Sequence, residues 1–307
     1  KTFWWIATNV LIEGVRANTI RLLRQSLYLI NTSFKKSKST TDVFISILKE
    51  GKEPYKALQS MSEYGVLAHY LDSFGAVTGQ MQYDLFHAYT VDQHTLYVIR
   101  NLSRFKEAQY ASHYPLCAKL MPGIEKPEIL FLAALFHDIG KGAGGDHSEI
   151  GAWEAENFAL RHRLEKESSE LLVWLVRHHL LMSQTAQRQD IYDPKIIKHF
   201  CQLLPQSYYL DYLYLLTVAD ICATNPMLWN AWKDSLLKEL YQATKHRLHK
   251  EQELMDEISL VAIRKSYALD LLIKDGISPD KVQGLWVHFK NKYFLHESPE
   301  AIAGHTK

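Results

Sequence analysis

Cysteine is nearly missing from this sequence: Cys117, Cys201 and Cys222 are the only three in 307 residues, and no C-x-x-C pair occurs. That odd, scattered set excludes a disulfide scaffold and a thiolate zinc knuckle, and it fits a reducing cytoplasm. No apolar run approaches the ~20 residues that cross a bilayer. The longest, residues 129–136 and 171–176, fall far short, and no signal peptide is visible, so no membrane partner is expected. A charge excess is missing as well. Lys and Arg number 35 against 34 Asp and Glu, a formal +1, which argues against a nucleic-acid partner. Walker-type loops and G-x-S-x-G elbows do not occur, which removes two common routes to phosphate and acyl chemistry. The 14 glycines and 9 prolines are few and clustered, leaving long stretches open to regular structure.

Those stretches show apolar residues at 3.6-residue spacing, and with 47% hydrophobic and 22% charged residues the chain has material for a core. The pattern predicts an all-α fold: a helical bundle over residues 81–235, an N-terminal helical segment over 1–80 and a C-terminal helical arm over 236–307. Asn18 is expected to cap a helix running towards Ile30, and the Lys/Ser-rich residues 33–41 to form a loop before a helix over 42–49. Thr90 and Gln93 have the T-x-x-Q form of a capping box, and Asp146 with Glu149 the D-x-x-E form. Further helices are expected over 128–136, from a cap at Ser168 through 171–176, and over 208–222 to a stop near Pro226. The last third reads as charged amphipathic helix with a break at 276–279. The chain opens at Lys1 without Met and reads as a piece of a longer protein.

Chemistry concentrates on histidine, of which there are 15. His137-Asp138 closes an almost wholly apolar helix, where an ionised Asp costs several kcal/mol unless it is paired or bound to a cation. An isolated His-Asp dipeptide is better explained as a capping Asp beside a core His, but this one has company. Asp220 sits in another helix that is apolar on nearly every face, with no basic residue within a turn. His94 lies in the first turns of a third helix. Two imidazoles and two carboxylates on three helices form an N/O donor set that suits Mn²⁺, Fe²⁺, Zn²⁺ or similar ions. His147 follows across the glycine-rich turn 140–145, and His178-His179 ends the helix through 171–176. One of that pair is expected to turn inward and the other towards solvent or substrate. Lys141, within the glycine turn, can approach a phosphate.

The order His94, His137-Asp138, Asp220 resembles the HD metal-dependent phosphohydrolase superfamily. Longer segments are similar to the family of bifunctional protein-PII uridylyltransferase/uridylyl-removing enzymes. They are Asp84-Leu85-Phe86-His87-Ala88-Tyr89-Thr90-Val91-Asp92-Gln93-His94, Phe136-His137-Asp138-Ile139-Gly140-Lys141-Gly142, Gly144-Gly145-Asp146-His147-Ser148, Trp174-Leu175-Val176-Arg177-His178-His179, Leu216-Thr217-Val218-Ala219-Asp220-Ile221 and Ser298-Pro299-Glu300-Ala301 with its continuation to Thr306. The resemblance implies an HD bundle that removes UMP from a uridylylated tyrosine of the PII signalling protein in the cytoplasm. One or two divalent ions, Mn²⁺ or Mg²⁺ in function, would be held by His94, His137, Asp138, His147, His178 and Asp220. Asp138, Lys141, His178 and His179 would serve the chemistry. The nucleotidyltransferase and ACT domains of that family are not recognised between Lys1 and Lys307, so only the uridylyl-removing half is implied. Gln93 departs from the acidic residue expected before the first His. Two alternatives stay open: an HD phosphohydrolase of free nucleotides, and a non-catalytic HD module whose metal is structural and whose flanking segments relay a signal.

Overall fold

The computed structural model describes residues 1–81, 89–225 and 229–307; the Asp84–Ala88 part of the first motif and the stop at Pro226 lie outside them. The fold is all-α: among the described residues extended backbone forms only an isolated bridge between Met81 and Thr90. Two compact units are distinguishable, Lys1–Gln242 and Ala243–Lys307.

The first unit is built on the two most apolar helices. In the Pro127–Phe136 helix every residue from Glu128 onward is buried, and in the Tyr209–Thr224 helix the burial is nearly as complete. A helix that is apolar all round has no solvent face, so it must sit in the middle of a bundle. Here the Val91–Arg104, His147–His162 and Lys166–Arg177 helices surround the first of them, and the Lys38–Lys49 helix packs on it from the N-terminal segment.

Local chemistry decides several boundaries differently from the sequence reading. Residues 33–41 are not a loop: helices Thr32–Lys36 and Lys38–Lys49 occupy them. Their polar residues act as caps, with Asn31 Oδ1 accepting from the Phe34 N–H (3.0 Å) and Ser37 Oγ from the Thr40 N–H (3.3 Å). Asn18 is not a cap; its helix begins one residue earlier, at Ala17, and ends at Gln25. Ser168 is buried in the first turn of a helix that starts at Lys166. Thr90 does stand at the N-cap of its helix, but its side chain makes no capping bond.

The second unit has its own core. Val261, Ala268 and Leu272 pack with Val282, Trp286, Phe294 and Ile302, and Arg264 Nη1 donates to the carbonyls of Phe294 and Glu297, both at 3.0 Å. The break expected at 276–279 is present. Gly276 has φ +82, and Pro279 opens the next helix.

One buried group in the first unit makes folding depend on pH. His162 stacks on Phe158, donates from Nδ1 to the Phe158 carbonyl and accepts at Nε2 from the Tyr70 hydroxyl at 2.7 Å. Burial holds its pKa down at about 3, against an ordinary 6.5. Below about 6.5 the unfolded chain therefore binds a proton that the folded chain refuses. Stability from this group is complete above that pH and is lost progressively as pH falls towards 3. His162 should cost urea stability about 1–2 kcal/mol between pH 7.5 and 5, and the double change Tyr70→Phe with His162→Phe should remove that share of the slope. An unchanged slope in the double variant would show that other groups cause it.

Candidate metal centre

The Pro127–Phe136 helix ends on His137, and the chain tightens at once: the Ile139 N–H bonds to the Phe136 carbonyl and the Lys141 N–H to the Asp138 carbonyl. This turn is what allows the adjacent side chains of His137 and Asp138 to face one point. Two glycines let the next helix lie against it. A Cβ on Gly140 would stand 2.5 Å from the His147 carbonyl oxygen, and one on Gly151 would stand 2.8 Å from that of Phe136. Asp146 Oδ1 then accepts from the Ser148 N–H and starts the His147–His162 helix, bringing His147 to the same place.

His94 and Asp220 complete a first group. His94 Nε2 lies 3.1 Å from His137 Nε2, 3.0 Å from Asp220 Oδ1 and 3.5 Å from Asp138 Oδ2. His137 Nε2 is 3.4 Å from Asp138 Oδ2 and 3.7 Å from Asp220 Oδ1. Atoms bonded to one ion at about 2.0–2.2 Å are spaced by roughly 3.0–3.5 Å in tetrahedral or octahedral geometry. Five of the six pairs formed by these four atoms approach that spacing, and the ligand atoms of His94, His137 and Asp138 all lie within 4.8 Å of one another. His137 Nδ1 donates to the Ala134 carbonyl (2.8 Å), so its Nε2 presents a lone pair to the group, as metal-ligating imidazoles do.

A second, looser group meets the other oxygen of Asp138. His147 Nε2 is 3.8 Å and His179 Nε2 3.9 Å from Asp138 Oδ1, and the ligand atoms of the three residues all lie within 4.8 Å of one another. His179 Nδ1 donates to the Val176 carbonyl at 2.7 Å, while its buried Nε2 has no hydrogen-bond partner. A buried acceptor without a donor is costly, and an ion is the partner that this donor set fits. Lys141 Nζ reaches Asp138 Oδ2 at 2.6 Å.

The electrostatics follow from this crowding. Burial works against charge on His137, but the carboxylates of Asp138 and Asp220 outweigh it and raise its pKa. Burial likewise opposes ionised Asp138 and Asp220. His137, Lys141 and His94 nonetheless hold Asp138 well below the carboxylate range, and the hydrogen bond from His94 with the charge of His137 brings Asp220 to about 2. Burial dominates at the second group, lowering His147 and taking His179 to about 4. Both are therefore neutral at physiological pH, the state in which imidazole binds metal.

The structure thus brings together His94, His137, Asp138, Asp220, His147, His179 and Lys141. It does not bring in His178, and the expectation of His178 as a ligand is corrected. The Lys166–Arg177 helix stops before it, and its ring packs on Trp174 (centroids 4.9 Å) instead of on the cluster. The signal that separates the neighbours is helical phase: Leu172, Val176 and His179 share the buried stripe, whereas His178 follows half-buried Trp174 at i+4. Gln93 is exposed while His94, one position on, is buried. His179→Ala should therefore lower the number of ions bound per chain, whereas His178→Ala should leave it unchanged; plasma emission analysis of both variants distinguishes them.

Comparison with known proteins places this geometry in a family. Residues 91–225 match the HD domain model, residues 1–70 that of the uridylyltransferase GlnD third domain, and residues 256–307 that of its fifth domain. The bifunctional uridylyltransferase/uridylyl-removing enzymes of Legionella pneumophila strains Paris and Lens are each 68% identical to the chain over 307 residues. That of Azotobacter vinelandii is 48% identical over 307 residues. These alignments cover 99–100% of this chain but only 34–36% of the relatives, so it spans about a third of their length.

Proposed function

Because the chain belongs to the bifunctional uridylyltransferase/uridylyl-removing enzyme family, in the stretch that carries the HD domain, we propose that it is a metal-dependent phosphodiesterase. Its substrate is the uridylylated tyrosine of a PII-type protein, its product is UMP, and it works in the cytoplasm. The observation that carries the reading is the division of Asp138: one oxygen faces His94 and His137, the other His147 and His179. A shared carboxylate between two imidazole-rich groups suits one divalent ion, Mn²⁺ or Mg²⁺, or a pair of them. His94, His137, Asp138 and Asp220 would hold the first, and Asp138, His147 and His179 the second.

An ion so held supplies Lewis-acid polarisation of the phosphoryl group and lowers the pKa of water. The chain's own residues do the rest. Asp220, Lys141 and His147 keep 20%, 22% and 29% of their side-chain surface exposed, whereas His94, His137 and His179 are closed off. A phosphodiester therefore approaches on the Asp220–Lys141–His147 side. Lys141 stands there as a point charge that can neutralise phosphoryl oxygens. The leaving tyrosine has a phenolic pKa of about 10, so it departs with less help from a general acid than an alkoxide needs. Among the described residues no helix is long and apolar enough to cross a membrane, and the three cysteines are free thiols, in keeping with a reducing compartment.

The test is release of UMP from uridylylated PII protein with Mn²⁺ or Mg²⁺ supplied. Wild-type chain should release it, and His137→Ala should be slower by about a hundredfold or more. Undiminished release by the variant would overturn the site. Hydrolysis of free nucleotides in preference to the protein-linked one would overturn the substrate.

A further inference from the structure

The segment before the Val91–Arg104 helix brings a glutamine to the edge of the metal centre. Its backbone is held on both sides. The Gly79 N–H donates to Asp92 Oδ1 (2.9 Å), the Gln80 N–H to the Val77 carbonyl (3.1 Å) and the Val91 N–H to the Gln80 carbonyl (2.9 Å). Met81 then pairs with Thr90 in the isolated bridge. From this anchored point the Gln80 side chain reaches the glycine turn that follows His137-Asp138. A Cβ on Gly142 would stand 2.4 Å from both Oε1 and Nε2 of Gln80. Glycine at 142 is therefore what leaves room for the carboxamide, one residue along from Lys141.

Two features of this place point to a ligand. Gln80 is half-buried, yet among the described residues no hydrogen bond engages its side chain. A carboxamide laid against backbone gives up part of its hydration, and the loss is recovered when a partner meets its donor and its acceptor. The space beside the turn is also open. Residues 142–146 are exposed, and a Cβ on Gly144 or Gly145 would meet no described atom within 4 Å. Lys141 connects this open turn to the centre, with its Nζ 2.6 Å from Asp138 Oδ2.

A carboxamide presents N–H donors and a carbonyl acceptor side by side. The imide edge of uracil presents their complement, the O4 acceptor beside the N3–H donor. We infer that Gln80 reads the base of the substrate nucleotide, Nε2 donating to O4 and Oε1 accepting from N3–H, while the phosphodiester lies towards Lys141. The inference rests on the reading of the site as one that releases UMP, and it adds the residue that recognises the base. Consecutive Cα atoms are about 3.8 Å apart, so the carboxamide on Gly142 and the Lys141 ammonium fall within reach of one nucleotide. The bonded backbone on both sides of Gln80 fixes the direction of the carboxamide, which a paired contact with a base edge requires.

The probes are UMP, its N3-methyl derivative and ribose 5-phosphate, titrated into the whole chain by calorimetry with Mn²⁺ supplied. Wild type should bind UMP about tenfold or more tightly than either of the others, the methyl group blocking one hydrogen bond and ribose 5-phosphate lacking the base. Gln80→Ala and Gln80→Met should each weaken UMP by about the same factor and leave ribose 5-phosphate unchanged. Gln80→Met keeps the length of the side chain, so UMP affinity restored in it would reduce the role of Gln80 to packing and overturn the inference. Equal wild-type affinity for UMP and ribose 5-phosphate, or no binding of UMP, overturns it as well. Release of UMP from uridylylated PII protein by the same preparation separates the two levels. If release persists, only the base contact has failed; if wild type releases none, the reading of the site fails with it.

Discussion

On the proposed function, Asp138→Asn should slow UMP release by roughly a thousandfold or more, equivalent to about 4 kcal/mol of transition-state stabilisation, and should weaken ion binding at both groups at once. The size of the effect comes from position. Asp138 Oδ2 is the oxygen facing His94 and His137, and Oδ1 is the one facing His147 and His179. No other side chain of the cluster is common to the two groups. The amide keeps the shape of the carboxylate but loses the negative charge that both groups share, and that charge faces Lys141 Nζ at 2.6 Å and His137 Nε2 at 3.4 Å. His179→Ala, by contrast, removes a ligand from the looser group alone and should retain the first ion. Metal content per chain measured beside kcat for the two variants separates these cases. Retention of a full complement of metal by Asp138→Asn, or of more than about a tenth of the activity, would show that the carboxylate is not shared in this way.

The second large effect is expected from a residue that has no chemistry. Gly151→Val should destabilise the first unit by about 2–4 kcal/mol and weaken the His147–His179 side of the centre more than the His94–Asp220 side. A Cβ at this position meets the Phe136 carbonyl oxygen at 2.8 Å and Val176 Cγ1 at 3.0 Å. The first contact is with backbone, which cannot turn aside as a flexible side chain can. The His147–His162 helix would have to move away from the end of the Pro127–Phe136 helix, carrying His147 with it. The intrinsic helix preference of Val differs little from that of Gly, so a loss of this size would report packing. Urea unfolding together with metal stoichiometry measures both parts; a destabilisation below about 1 kcal/mol would mean that the helices separate more easily than the contact distances imply.

Much of the site could be read from the sequence because the cost of burying charge is a local argument. Asp138 and Asp220 each sit in a run so apolar that only pairing or an ion accounts for them. The histidines to go with them were visible too, and the structure brings His94 and His137 to the same point. Helix boundaries were less legible. The same Asn, Ser and Thr residues that mark loops also cap helices, and residues 33–41 turned out to be capped helix. The choice between His178 and His179 was legible in principle, through the phase of Leu172 and Val176. It stayed open because Leu171 and Leu175 place either histidine within a turn of an apolar residue.

The sequence by itself determined the all-α class, the two apolar helices that have to be central, and the carboxylates and imidazoles available for a cation, since composition and periodicity limit what can be buried. Only the tertiary structure decided how those groups are shared. Nothing in the linear order says that the two oxygens of Asp138 face different histidines, that Gly140 and Gly151 let the helices close to the distances required, or that Gln80 lays its carboxamide against Gly142. Those facts depend on ångström-scale approaches between segments distant in sequence, which residue type and spacing leave undefined until the helices pack.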